Sequence, residues 1–302
     1  MANPILNNIP VYVEQNKTGL IQETLLGNKS SKLFNLMPEV KTPTSLNLLF
    51  TDVAIQDGSD CGWSTDDSYN EISQRILTPA ILKVNMSFCD KQLLKTWKAY
   101  DVQFALGQKT LPFEEDFIKG VNTEVSNKIE RMIYQGESTN TNECTGLIEI
   151  LETDLTGTPN IVDFASGTSV YNAVKDVYLA LPDNARREDT AILVSAGVYE
   201  KFIQEVVSAN LYHFDPSRPT DEFYLPGTNV KVIKTDGLNG TDDYEYIIAT
   251  YLKNIYLGFD NIDADYDFWY EKGEREHRLA IDFAVGVQVA FPSDVILGRI
   301  AK

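Results

Sequence analysis

Histidine, cysteine and long apolar runs are what this sequence has least of. Its 302 residues contain two histidines, His213 and His277, and three cysteines, Cys61, Cys89 and Cys144. The cysteines are widely spaced and form no C-x-x-C pair. That argues against a disulfide scaffold or zinc site and fits a reducing compartment. His277 lies in "EREHRLA" at the mouth of a strand, where a solvated or ion-paired role is expected. His213 shares a loop with Asp215, but no nucleophile stands near it, so acid–base catalysis has little support there. "SAGVY" follows a strand and opens a helix without being a G-x-S-x-G elbow, and neither a P-loop nor a dinucleotide fingerprint occurs. No run of 18 apolar residues exists to span a membrane. The opening "MANPILNNIPVYVEQNKTG" lacks the basic-then-apolar pattern of a signal peptide. Positive charge is scarce as well: 26 Lys and Arg face 44 Asp and Glu, a net charge of −18. A nucleic-acid-binding module needs the opposite balance, clustered cations that displace counterions. The 15 Tyr and 14 Phe therefore read as core and interface material rather than a base-stacking platform. The reading is of a protein that is not an enzyme, with no catalytic residue, cofactor or metal assigned.

The most local absence is the most informative. From Thr42 to Gln74 there is no Lys or Arg, while six acids occur: Asp52, Asp57, Asp60, Asp66, Asp67 and Glu71. So little apolar material cannot form a core of its own, and a long loop of this kind is usually functional or disordered. Trp63 and Tyr69 near its tip favour a docked protrusion, since exposed aromatics often serve as contact anchors. Trp63, Asp66, Asp67 and Tyr69 are thus candidate subunit-interface residues. Strands flank the excursion. "SLNLLF" alternates Leu46, Leu48 and Phe50, and "RILTPAILKVNMSF" aligns Ile76, Ala80, Leu82, Val84, Met86 and Phe88. Pro79 in the second of these cannot donate to a ladder, which predicts an edge strand.

What is abundant is pattern. Leu279, Ile281, Phe283, Val285, Val287, Val289 and Phe291 alternate with small or polar residues, the period of a strand with one buried face. At about 3.3 Å per residue it would run roughly 43 Å, far longer than the usual 5–6 residues. Upstream, "TLPFEEDFIKGVNTEVSNKIERMIYQG" predicts a helix. Thr110 can cap it, Pro112 fits its first turn, acids stand at its start and Gly136 stops it. Phe113, Phe117, Val121, Val125, Ile129 and Ile133 recur every four residues, a ridge that slants around the helix and suits a broad sheet. The spacing predicts this helix as the cover of the long strand. Gly286, with alanines around it on the strand's other face, predicts close approach by a neighbouring strand or subunit, so Gly286→Leu is expected to impair assembly more than folding.

Residues 1–44 read as an N-terminal arm, either loosely packed or wrapped around a partner. Residues 145–260 alternate helices and strands, an α/β unit inserted between the long helix and the long strand. The class is α+β. "DADYDFWYEKGE" spaces Asp263, Asp265, Asp267 and Glu274 like a calcium loop, but Phe268 stands where the turn requires Gly. Alternation of the acids with Ile262, Ala264 and Tyr266 reads instead as a strand with one wet face.

In their order these elements resemble the major capsid proteins of tailed phages, the Hong Kong 97-type fold. The echoes are "FEEDFIKGVNTEVSNKIERMIYQGE" for the family's spine helix, "ECTGLIEIL" for the segment leaving it, and "LPGTNVKVIKTDGL" for entry into its central strands. "NIYLGFDNIDADYDFWYEKGEREHRLAIDFAVGVQVAFPSDVI" is similar to the return through its peripheral domain. The resemblance implies an arm (1–44), an extended loop (45–88), a peripheral domain (89–145 and 260–302) and an axial domain (146–259). It implies a shell subunit that assembles with itself into hexamers and pentamers of an icosahedral virion in the host cytoplasm. Portal, scaffold and decoration proteins would be partners, and packaged DNA would lie nearby without specific binding. Some members link a loop lysine to a neighbour's asparagine; with no lysine between Lys41 and Lys83, no such crosslink is expected. A 44-residue arm leaves no room for a cleaved N-terminal scaffold, so a separate scaffold, or none, is expected. The alternatives are an encapsulin-like compartment and a hydrolase or binding protein built on the α/β unit.

Overall fold

The computed structural model describes residues 8–52, 69–89, 113–211 and 222–302, with a few more between 95 and 106. The acidic excursion up to Ser68, most of the segment before the long helix, and the loop carrying His213 lie outside the described residues.

Among the described residues, the first sheet has the order β1-β10-β11-β4. Its centre is a pair of long antiparallel strands, β10 (Ile255–Glu271) and β11 (Glu276–Val289), in register from Ile255 opposite Val289 to Glu271 opposite Glu276, with one irregularity between Asp260 and Asp265. The short β1 (Asn35–Pro38) runs parallel to β10, and β4 (Ala80–Cys89) is the other edge, antiparallel to β11. The alternation in β11 does what its pattern dictates: Leu279, Ile281, Phe283, Val285, Val287 and Val289 are all buried. The strand ends sooner than its apolar pattern, because a turn at Pro292–Asp294 follows.

Helix α3 (Phe113–Gln135) supplies Ile118, Val125, Ile129 and Ile133 to the core over this sheet. A second cover was not expected. Residues 8–26 form helix α1 (Asn8–Leu26), which places Ile9, Val13, Leu20, Ile21 and Leu25 in the same core. The loosely packed reading of this segment is therefore corrected: α1 lies against β10 and α3 and is built into the subunit. Helix α2 (Lys29–Leu33) follows, capped by the Asn28 side chain, which accepts from Ser31 N–H at 2.8 Å.

The strand expected across "RILTPAILKVNMSF" is two strands in different sheets. β2 (Thr44–Asp52) and β3 (Tyr69–Leu77) pair antiparallel as a two-stranded ribbon. At Thr78–Pro79 the chain leaves that ribbon and enters β4. Pro79 breaks the strand because it has no N–H for the ladder.

The second sheet has the order β5-β12-β9-β6-β8-β7. Its members are β5 (Ile161–Phe164), β6 (Thr190–Val194), β7 (Glu222–Tyr224), β8 (Lys231–Lys234), β9 (Tyr244–Tyr251) and β12 (Ile296–Ala301). Every residue of β6, "TAILV", is buried, as a strand covered on both faces requires. Helices α5 (Val170–Ala180) and α6 (Ala196–Ser208) pack one face, through Val174, Val177, Val198 and Phe202. The other face joins the core of the first sheet, where helix α4 (Leu147–Leu155) buries Leu147, Leu151 and Leu155. The strand after Pro292 belongs to this second sheet, between β5 and β9. The expected boundaries had put residues 296–301 with the first.

Candidate assembly surfaces

The ribbon β2–β3 is the element whose shape most needs explaining. Nine register pairs run from Thr44 opposite Leu77 to Asp52 opposite Tyr69, and the described residues supply no third strand. An isolated two-stranded hairpin is marginal in water. Near its base one face is held: Leu46 and Leu48 are buried, and Leu46 clusters with Val40 and Leu77. The opposite face is bare, with Leu49 64% and Ile76 55% exposed and Gln74 Nε2 donating to Asn47 Oδ1 at 2.9 Å between them.

The base crosses the first sheet at a pair of glycines, Gly258 and Gly286, directly opposite each other on β10 and β11. A Cβ on Gly286 would lie 2.8 Å from Thr78 O and 2.9 Å from Pro79 Cα, and one on Gly258 would lie 2.7 Å from Leu77 Cδ2. The close approach expected at Gly286 is therefore there, but the approaching backbone is the chain's own. Gly286, expected at a subunit interface, is buried beneath Thr78–Pro79 of its own chain. Two ties fasten the crossing. Arg75 Nη2 bonds to Asp154 of α4 and donates to Gln288 Oε1 at 3.0 Å, while Gln288 Nε2 donates to Ile76 O at 2.8 Å.

Of the other candidate interface residues, Trp63, Asp66 and Asp67 lie outside the described residues, and Tyr69 is described only as the first residue of β3. Beyond the ribbon base, the same face of the first sheet offers further apolar surface among the described residues. Ile81 on β4 is 81% exposed, and Trp269, near the β10–β11 turn, is 41% exposed.

A buried polar stripe explains how the N-terminal segment is held. Asn122, Ser126 and Glu130 recur every four residues on α3, beside its apolar ridge, and all are buried. Asn122 Nδ2 donates to Glu23 Oε2 at 3.4 Å. Gly27 packs by Ser126, whose Oγ would lie 3.3 Å from a Cβ there. Ser30 N–H donates to Glu130 Oε2 at 3.1 Å, and the Ser30 hydroxyl lies 2.8 Å from Glu130 Oε1 and 2.9 Å from the Tyr134 phenol. Burial pushes the Glu130 carboxyl above the ordinary carboxylate range, against the lowering effect of its Ser30 hydrogen bonds; Asp236 adds to the rise and Lys29 opposes it. Burial likewise raises the Tyr134 phenol, and the nearby Glu130 adds to the rise. Gln135 Nε2 donates to Gly237 O and Asn239 O at 2.5 and 2.8 Å. The stripe thus ends where α2, α3 and the Asp236–Leu238 turn of the second sheet meet.

The remaining sequence candidates have structural places. Lys17 of α1 bonds to Asp265 and Asp267, and its hydrogen bond holds Asp265 below the usual carboxylate range. Glu274 bonds to Arg278. The calcium-like spacing is strand patterning whose wet face meets α1. His277 is 1% exposed and stacked on Phe268 with ring centroids 5.6 Å apart, so the expectation of a solvated histidine is corrected. Cys144 is buried and its thiol is pushed up to about 12 by that burial, whereas Cys89 is exposed.

No family model matches this chain, and no curated protein matches it in sequence. Solved structures do. A chain of the satellite phage P4 procapsid superposes with TM-score 0.64 at 8% identity, covering 95% of this chain and 90% of that one. Microbacterium phage Oxtober96 gives 0.58 at 12% identity, over 91% and 90%. An encapsulin complex from Synechococcus elongatus PCC 7942 gives 0.53 at 9% identity, over 89% and 85%. At such identities the likeness is one of architecture, and this chain has the mixed helix-and-sheet fold of phage capsid proteins, which encapsulin shares.

Proposed function

We propose that this chain is the major capsid protein of a tailed double-stranded DNA phage, a structural subunit with no catalytic site. The observation that carries the reading is the near end-to-end likeness to a phage procapsid chain, 95% of this chain against 90% of that one. The ribbon supports it independently. A two-stranded hairpin with Leu49 and Ile76 bare on one face is explained if a neighbouring subunit covers it.

In this reading the first sheet with α3 is the peripheral domain of a Hong Kong 97-type subunit, the second sheet is the axial domain, and β2–β3 is the extended loop. Subunits assemble into hexamers and pentamers, with axial domains around their centres. The excursion with Trp63, Asp66, Asp67 and Tyr69 docks on the neighbour. Portal, scaffold and decoration proteins are the partners, and assembly takes place in the host cytoplasm. The net charge of −18 suits a shell that encloses DNA without adhering to it, and it opposes association of subunits with one another. Shell yield is therefore expected to rise with ionic strength, as screening shortens the reach of that repulsion to about 8 Å at physiological salt.

Negative-stain electron microscopy and size exclusion of the purified protein test the proposal. Rings or closed shells whose yield grows with salt are expected; a stable monomer under all conditions would overturn it. The likeness to an encapsulin keeps one second reading, a cargo-holding cellular compartment with the same fold. Neighbouring genes separate the two: portal and terminase genes belong with a capsid, a single cargo enzyme with a compartment.

A further inference from the structure

We propose that Arg75 is a latch that fixes the direction of the β2–β3 ribbon before assembly, and that the latch sets the curvature of the shell. The proposal rests on the capsid reading for its consequence but not for its geometry. The ribbon leaves the body of the subunit through Thr78–Pro79 at one end and residues 39–43 at the other, and neither connection is a helix or a strand. Backbone pairing within the ribbon holds its two strands together but says nothing about its angle to the body.

That angle is held by side chains. Arg75 stands opposite Leu46 on the packed face of the ribbon. Its guanidinium reaches two separate elements at once, Asp154 in the last turn of α4 and Gln288 near the end of β11. Both anchors are rigid. α4 is fixed by buried Leu147, Leu151 and Leu155, and Gln288 lies between buried Val287 and Val289. The Arg75 and Asp154 side chains are 23% and 24% exposed, so water competes with the pair much less than at an open surface. The site also suits a cation electrostatically, since the last turn of a helix carries unpaired carbonyls and partial negative charge. Gln288 closes the circuit by donating to Ile76 O, the residue beside the latch.

The lever is long. Nine residues at roughly 3.3 Å each extend about 30 Å, so a change of about 10° at the base moves the far end by about 5 Å. A displacement of that size is larger than a hydrogen bond's tolerance and would alter how successive subunits meet. Curvature is the property of a shell most sensitive to such a small repeated angle.

Hydrogen exchange and electron microscopy of Asp154→Asn and Gln288→Ala test the latch. These two variants leave Arg75, with its part-buried stem, in place. In unassembled subunits at low salt, amides of 44–52 and 69–77 are expected to exchange about tenfold faster, as befits loss of a hydrogen bond to a charged group. Exchange in β6 is expected to stay unchanged. Assembled particles should show a broader spread of diameters than the wild type. Exchanging the charges, Arg75→Asp with Asp154→Arg, should restore protection. Unchanged ribbon exchange in both variants, or acceleration spread equally through β6, would overturn the latch. Faster ribbon exchange with particles as uniform as the wild type would overturn its role in curvature. Wild-type protein that never forms shells would sink the capsid reading, while the exchange measurements still decide whether Arg75 holds the ribbon.

Discussion

Replacing Gly286 with alanine should destabilise the subunit itself, before any question of assembly arises. The added methyl would stand 2.8 Å from Thr78 O, 2.9 Å from Pro79 Cα and 3.1 Å from Thr78 C. All three are backbone atoms, so no side chain can turn aside. The backbone cannot retreat easily either, because Leu77 on one side is fully buried and Ala80 on the other is paired to Val285. Overpacking of this kind costs about 1–3 kcal/mol, and the pinned neighbours put Gly286→Ala at about 2–3 kcal/mol. Two further glycines calibrate the estimate. At Gly258 the nearest atoms are side-chain ends, Leu77 Cδ2 at 2.7 Å and Val40 Cγ2 at 3.2 Å, which yield more readily than backbone even when buried, so Gly258→Ala should cost less, about 1–2 kcal/mol. Gly120 lies in the exposed interior of α3 with nothing within 4 Å of its Cβ position, so Gly120→Ala should stabilise by about 0.5–1 kcal/mol. Urea unfolding of the three variants, followed by tryptophan fluorescence and circular dichroism, gives the order directly. A Gly286→Ala subunit within about 0.5 kcal/mol of the wild type would refute the reasoning, since it would mean the ribbon base does not press on the sheet.

Three other outcomes follow from buried or capping groups. Glu130 has its carboxyl raised by burial, so the folded state holds that proton more tightly than the unfolded chain. Stability contributed by the proton is present at low pH and is lost as pH rises from the ordinary carboxylate value through the raised one; Glu130→Gln should flatten this slope and leave the protein at least as stable at neutral pH, read from denaturation at several pH values. Glu205 behaves in the opposite sense. Burial raises its pKa, but hydrogen bonds from Ser169 Oγ (2.6 Å), Tyr171 N–H (2.8 Å) and Val170 N–H (3.1 Å) outweigh it and leave it lowered. Its contribution is therefore present above the ordinary carboxylate value and lost as pH falls through the lowered one, and Glu205→Ala should cost about 1–2 kcal/mol by uncapping α5. Thiol labelling of the native protein, resolved by peptide mass spectrometry, should modify exposed Cys89 quickly and Cys144 only on unfolding.

Which features could be read from the sequence depended on how purely a pattern was apolar. The period of two in β11 and the period of four in α3 gave the long strand and its covering helix, because each buried face is a continuous apolar stripe. The alternation even carried information left unread. His277 has the same parity as Leu279, and extending the pattern by one step predicts its burial, which the flanking charges of "EREHRLA" obscure. The docking of the N-terminal segment was not legible for a different reason. Part of its contact with α3 runs along Asn122, Ser126 and Glu130, residues that any hydrophobicity argument assigns to solvent. Only their regular spacing, matched by Glu23, Gly27 and Ser30, hints that a second stripe exists.

That polar stripe also bears on why the segment before residue 35 is built into the subunit in this way. An apolar stripe would hold α1 and α2 by burial alone, tolerant of small shifts along the groove. Hydrogen bonds at fixed intervals tolerate no such shift, because moving α2 by one residue leaves a buried carboxylate without its donors, a penalty of several kcal/mol. The arrangement therefore fixes register as well as contact. It does so at the junction where α2, α3 and the Asp236–Leu238 turn meet, tied together by polar groups. If register is what Glu130 provides, Glu130→Leu, which is apolar in the buried site and removes the acceptor, should lower the protection of α1 and α2 amides in hydrogen exchange while sparing β6. Uniform loss of protection across the chain would instead make Glu130 an ordinary core residue, and unchanged protection would show that the apolar contacts of Ile9, Val13 and Leu25 hold the segment unaided.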